Sequence, residues 1–305
     1  MRLFQVCGGT LILLAAVLLG CQGSLKRGVA FPGEATRIGA DVSPAQLSGL
    51  NIPLIGQAPL DTQVLWANDF SQADWFAHWD PEARGTWGSE NFEVVDAPEP
   101  FQQVLRVHYP ARSASPAVAN EHGVPLGGGE FRGSLNIPPQ EALRLSYYIR
   151  FSDDFEFVRG GKLPGLYGGT ANSGGDIPDG TDGFSARMMW RRDGHGEVYA
   201  YLPTSEGYGT SLSQGNWQFE PGRWHHLIQE VALNRPGHED GRVRVWLDGE
   251  LVLDQKDLVF RKVDDLKING IFFSTFFGGG DPSWATPKAV YADFANFSVW
   301  TAPAD

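Results

Sequence analysis

Cysteine is nearly absent: the 305-residue chain has two. Cys7 lies in an N-terminal leader, so the mature chain keeps one Cys and cannot form an intramolecular disulfide. Basic residues are in deficit, 24 Lys and Arg against 36 Asp and Glu, and they are scattered along the chain. A net charge of −12 without a basic cluster excludes nucleic acid as the partner, although a local basic groove can still hold an anion. Long apolar runs are missing too. The longest, Thr10 to Leu19, is too short to span a bilayer as a helix. No window of a dozen residues has helical periodicity, and only residues 71–78 suggest a short helix. With 38 Gly and 20 Pro the chain stays below the range of low-complexity disorder. A chain this long builds a full core without covalent staples. What it has in quantity is aromatic residues, 12% of the chain with ten Trp, which favour strands and flat ligand-binding faces.

The first residues read as an address. Arg2 precedes the apolar run, and Leu18-Leu-Gly-Cys21 resembles a bacterial lipoprotein signal, in which the Cys is acylated and becomes the first mature residue. Residues 1–20 are thus expected to be a signal peptide and Cys21 the lipidation site. Losing Arg2 and no acid takes the charge from −12 to −13. Gln22, rather than Asp, resembles outer-membrane sorting. Residues 21–62 lack periodicity and read as a tether. The expectation is a monomer in the cell envelope, held at the outer membrane by its lipid anchor alone.

From about residue 63 to 302 the pattern has period two. Leu143, Leu145, Tyr147, Ile149 and Phe151 alternate with polar or aromatic neighbours. Val243, Val245 and Leu247 alternate with Arg242, Arg244 and Trp246, and Asp248-Gly249 then turns the chain into Glu250-Leu-Val-Leu. Further strands are expected at 104–109, 183–192, 196–202, 223–233, 270–277 and 289–300. Evenly spaced strands with Gly/Pro turns predict one all-β domain, a sandwich or barrel. The segment from Gly222-Arg-Trp-His-His to Asp248-Gly-Glu-Leu resembles the hairpin region of concanavalin-like β-jelly rolls.

Period two also sorts side chains by face. Phe184, Ala186, Met188 and Trp190 share one face of their strand, and Ser185, Arg187, Met189 and Arg191 the other. Val198, Ala200 and Leu202 leave Tyr199 and Tyr201 opposite, about 7 Å apart by strand rise. Asp193-Gly-His-Gly suits a hairpin, so Ser185, Arg187, Tyr199 and Tyr201 are expected on one face, with His195 in the turn. Upstream, Arg159-Gly-Gly-Lys-Leu-Pro-Gly-Leu-Tyr-Gly-Gly169 reads as a Gly-rich loop that lets a ligand approach the backbone. Without a Gly-Lys-Ser/Thr ending or a following helix it is not a phosphate loop.

Gly160-Gly-Lys-Leu-Pro-Gly-Leu166, Ser185-Ala-Arg187, Tyr199-Ala-Tyr201 and Phe272-Phe-Ser-Thr-Phe-Phe-Gly-Gly-Gly-Asp-Pro-Ser-Trp284 resemble, in order and spacing, polysaccharide lyase family 14, the alginate and glucuronan lyases. The resemblance runs over about residues 145–300. It implies a β-jelly roll, a two-sheet sandwich with a substrate cleft across its concave sheet. It further implies β-elimination on an anionic uronate polymer (mannuronate-rich alginate or glucuronan); no cofactor or metal is expected from the residues. It places Lys162, Ser185, Arg187, Tyr199 and Tyr201 on functional positions.

The residue types suit that chemistry. The proton at C5 of a uronate leaves more readily once the carboxylate is neutralised, and Arg187 offers a fork and Lys162 a point charge for this. Preorganised donors of that kind contribute about 3–4 kcal/mol each. Tyr199 and Tyr201 can divide base and acid roles, or one can serve in both, Tyr201 being favoured; nearby cations would stabilise a phenolate. Ser185, Arg191, His195 and Trp284 are expected to bind substrate. Taken singly, a Tyr-x-Tyr, an Arg on a strand or a Gly-rich turn is more often structural. It is their combination on one β scaffold that carries the reading.

Weaker features remain. Asp176, Asp179 and Asp182 lack the EF-hand spacing for Ca²⁺, and residues 170–183 read as a long loop beside the groove. His225 and His226 face opposite sides of a strand and cannot share one metal. A concanavalin-like hydrolase needs paired carboxylates, commonly Glu-x-Asp-x-x-Glu, and no Glu here is followed two residues later by Asp. A non-catalytic glycan-binding lipoprotein on the same scaffold is the alternative.

Overall fold

The structure is a computed structural model that describes residues 62–98, 100–213 and 215–302. Residues 1–61, which hold the expected leader, Cys21 and all but the last residue of the expected tether, lie outside the described residues. Fourteen strands are described: β1 (Val64–Asn68), β2 (Phe92–Asp96), β3 (Gln103–Tyr109), β4 (Gly129–Gly133), β5 (Ala142–Phe151), β6 (Gly160–Gly169) and β7 (Gly183–Arg191). They continue with β8 (Gly196–Tyr201), β9 (Thr210–Leu212), β10 (Trp224–Ala232), β11 (Gly241–Leu247), β12 (Glu250–Leu258), β13 (Ile268–Thr275) and β14 (Val290–Thr301). They form two antiparallel sheets. One runs β12-β11-β10-β5-β14-β3-β2 with β1 on β14, and the other β4-β13-β6-β7-β8-β9. This is the expected β-jelly-roll sandwich.

The inner faces make the core. Phe184, Ala186, Met188 and Trp190 of β7 are fully buried and face Leu145, Tyr147, Ile149 and Phe151 of β5. Aromatic rings fill much of the space: Tyr147 stacks on Phe297, and Phe131 on Phe273, each 4.8 Å centroid to centroid. Gln229 of β10 ties the sheets together. Its amide accepts from Leu166 N at 2.9 Å and donates to Ala186 O at 2.7 Å.

Three local expectations change. The Gly-rich segment 159–169 is not a loop but β6, in the middle of its sheet. Its glycines answer to close packing. A Cβ on Gly161 would lie 2.0 Å from the Trp190 ring, and one on Gly165 2.1 Å from Ala186 O. Pro164 sits where the β6–β7 register shifts, at a bulge, which is where a strand tolerates proline. Residues 71–78 form turns and run into a short 3₁₀ segment, Ala77–Trp79, whose Trp79 plugs the core. One α-helix that the periodicity did not announce, α1 (Pro116–His122), is set by its ends. Ser115 caps it, Pro116 opens it, and Gly123 closes it at φ +64°.

Candidate active site

On β7 the outer face is as dry as the inner one. Ser185, Arg187 and Met189 are 0%, 2% and 1% exposed, whereas outward residues of β11 alternate with half-burial. Loops and the start of α1 fold over this face and enclose a groove of about 610 Å³. Strand register builds its floor. Lys162 (β6), Met189 (β7) and Glu197 (β8) lie in one row, Arg187 and Tyr199 in the next, Ser185 and Tyr201 in a third.

Lys162 reaches the groove with Nζ 2.9 Å from Met189 Sδ and 3.9 Å from the centre of the Tyr199 ring. Among the described residues it has no carboxylate partner. Burial, then the charges of Arg187 and Arg191, hold its amine well below the usual lysine value. Arg187 is almost wholly buried. Its Nη1 donates to Ser274 Oγ at 3.1 Å and lies 3.7 Å from Glu130, which accepts from Ser274 at 2.9 Å. Burial works against the Arg187 charge, and Glu130 works for it. Arg191 is pinned by the fully buried Glu197, with Nε and Nη2 at 2.8 and 2.6 Å from the same carboxylate oxygen.

The two tyrosines differ. Tyr199 is pushed up to about 12, first by burial and then by Tyr201, so the neighbouring cations do not win and it stays protonated. Tyr201 is 2% exposed, and its hydroxyl oxygen accepts from Gly175 N at 3.0 Å. The rings meet edge to face at 5.8 Å.

Lys162, Arg187, Arg191, Tyr199, Tyr201 and Trp284 of the sequence-derived set line the groove. Ser185 and His195 do not line it. Ser185 is fully buried under the 170–175 loop and donates to Asn172 O at 2.6 Å, which ties that loop to β7. His195 is spent in the β7–β8 turn, pairing its backbone with Gln218 and Arg191. Asp176 and Asp182 accept from Asn172, and Asp179 caps its own turn through Thr181. Sequence reasoning missed Glu130, Trp87, Tyr208 and Phe276, which also line the groove. Glu130 follows three glycines and alternates with Phe131, a signal that was open to reading. His225 is buried and paired with Asp248, while His226 stacks on Tyr148.

A jelly roll whose sheet presents cations and tyrosines in a dry groove defines a carbohydrate-active protein for acidic polymers. The family model described as polysaccharide lyase 14 matches residues 97–297. The chain is similar to the PL-14 alginate lyase of Aplysia kurodai, at 30% identity and TM-score 0.68 over 79% of this chain and 100% of that one. It also resembles in fold the alginate lyase vAL-1 from Chlorella virus, at 23% identity and TM-score 0.63, covering 79% and 100% of the two chains. A third likeness is to the endo-β-1,4-glucuronan lyase of the fungus Trichoderma reesei, at 12% identity and TM-score 0.51, covering 79% and 96%. No curated protein matches the sequence. The chain belongs to polysaccharide lyase family 14 and is a lyase that cleaves uronate polymers by β-elimination.

Proposed function

We propose that this lyase acts on alginate, mannuronate-rich stretches first, with Lys162 as base and Tyr201 as acid. The observation that carries the residue roles is the charge-disfavoured amine of Lys162, without a carboxylate partner among the described residues, beside two tyrosines and two arginines in one groove. Burial and neighbouring cations shift a lysine towards its neutral amine, and a neutral amine takes protons. This changes its expected role from point charge to base. Arg187 meets the uronate carboxylate and stabilises the charge that builds there as the C5 proton passes to Nζ. The C5 electron pair forms the C4=C5 double bond, the C4–O bond breaks, and the leaving oxygen takes the Tyr201 proton. Gly175 N–H faces the phenolate oxygen left behind. The lysine ammonium returns a proton to it through solvent. Tyr199, protonated, holds Lys162 over its ring.

Alginate is favoured over glucuronan because the 30% identity spans the whole of an alginate lyase. The test mixes the purified protein with polymannuronate, polyguluronate and glucuronan and follows the ultraviolet absorbance of the unsaturated uronate. Absorbance should rise fastest with polymannuronate. Binding without any rise would identify a glycan-binding module instead. We further propose that Cys21 is acylated and tethers a monomeric enzyme to the outer membrane. Labelled palmitate should enter the wild type, and Cys21→Ala should release the protein to the soluble fraction.

A further inference from the structure

Beyond Lys162 and Tyr199 the side chains continue as a ladder in which cations and aromatic faces alternate. Lys162 Nζ lies 3.9 Å from the Tyr199 ring centre, and the Arg191 guanidinium 5.6 Å from it. The same guanidinium is 5.8 Å from the centre of the Trp284 ring, and the Arg159 guanidinium lies 4.7 Å from it. The ladder leaves the enclosed floor and ends in solvent, since the Arg159 side chain is 43% exposed.

The far end is built rather than accidental. Trp284 packs on Gly279, whose Cβ would fall 2.1 Å from the indole, and its edge lies near Gly160, at φ +144°. At Gly279 only glycine leaves room for the ring. Asp281 caps the turn that carries Trp284 through Ser283 N at 2.8 Å and sits 3.7 Å from Arg159 Nη1. Ser283 accepts from the same Nη1. Both anchors fall on one nitrogen and fix the guanidinium beside the indole.

A polyuronate alternates in the same way, each sugar ring carrying apolar C–H faces and one carboxylate. Apolar ring faces settle on aromatic side chains, and carboxylates on guanidinium forks. We propose that Trp284 and Arg159 form a distal uronate subsite, so that the enzyme's efficiency rises when the chain is long enough to reach Arg159. The inference rests on the lyase reading of the same groove and adds a contact remote from the bond that breaks. Remote contacts raise efficiency by holding substrate in register.

The test measures kcat/KM on uronate oligomers of defined length and on polymer, for wild type, Arg159→Ala and Arg159→Lys. The ratio of polymer to shortest cleaved oligomer should fall about fivefold in Arg159→Ala, as expected for one exposed ion pair. Arg159→Lys should recover part of it. Added salt should shrink the wild-type ratio and leave the Arg159→Ala ratio flat, because an exposed pair is screened. An active wild type whose length profile is unchanged, or uniformly lowered, in Arg159→Ala overturns the subsite. A wild type inactive on every uronate polymer overturns the lyase reading itself, a distinguishable result.

Discussion

Tyr201 and Tyr199 share a strand face and an aromatic contact, yet their surroundings divide the work. Tyr201 has a backbone N–H aimed at its oxygen; Tyr199 has a half-buried ring under a cation and keeps its proton. Tyr201→Phe should therefore lower kcat about a hundredfold or more while polymer binding is little changed, measured by ultraviolet progress curves and calorimetry. A variant near wild-type turnover would remove Tyr201 from the acid role. For Lys162 the sign of the pH dependence follows from its neighbours. Burial and two arginines favour the neutral amine, so activity should rise with pH through an acid limb below the ordinary lysine value. Arg191→Met removes one of those cations and leaves Glu197 unpaired. Both changes stabilise the Lys162 ammonium, so the acid limb should move to higher pH. Movement to lower pH, or none, would show that the limb belongs to another group.

At the scale of elements, β6 is where glycine composition and strand geometry meet. A Gly-rich, Pro-bearing stretch reads as a loop when only local preference is counted. In the fold, neighbouring strands and the Trp190 ring press so closely on it that side chains would not fit. Gly165→Ala would set a methyl 2.1 Å from Ala186 O and 2.7 Å from Arg187 Cα, both backbone atoms that cannot step aside. We expect a loss of about 1–3 kcal/mol, read as a fall in Tm of several degrees, with reduced kcat because Arg187 shifts. An unchanged Tm would mean that the strand relaxes freely. The helix α1 and the 3₁₀ turn at Trp79 make the same point in reverse. Too short to show a period, they are set by a cap and by one buried ring.

Over the whole molecule, the second sheet is a support that carries its own pH sensitivity. His226, on its outer face, stacks 4.3 Å from Tyr148 and shares a 2.8 Å hydrogen bond with Ser146. Burial lowers it to about 4, only partly opposed by Asp248. An unfolded histidine titrates near 6.5, so between those values the unfolded chain binds the extra proton. This contribution to stability is complete above about pH 6.5 and is lost as pH falls towards 4, amounting to about 2–3 kcal/mol. Denaturant titrations at pH 7 and 4.5 should show the loss, and His226→Gln should reduce it. An equal loss in the variant would assign it to other groups.

Period two by itself determined an all-β sandwich or barrel, the β7–β8 hairpin and the shared face of Arg187, Tyr199 and Tyr201, because alternation depends only on positions along one strand and its turn; the family resemblance chose the sandwich. The inward turn of Trp190 was legible for the same reason, and Trp284 from its place in a loop beside Gly and Pro. Tertiary structure decided what alternation cannot carry. Ser185 lies on the right face but under a loop, His195 is consumed by its own turn, and Glu130 arrives from a strand distant in sequence. It also decided the direction in which the Lys162 amine and the Tyr199 hydroxyl are shifted. Burial and neighbouring charge are sums over groups gathered from the whole chain, and no local pattern contains them.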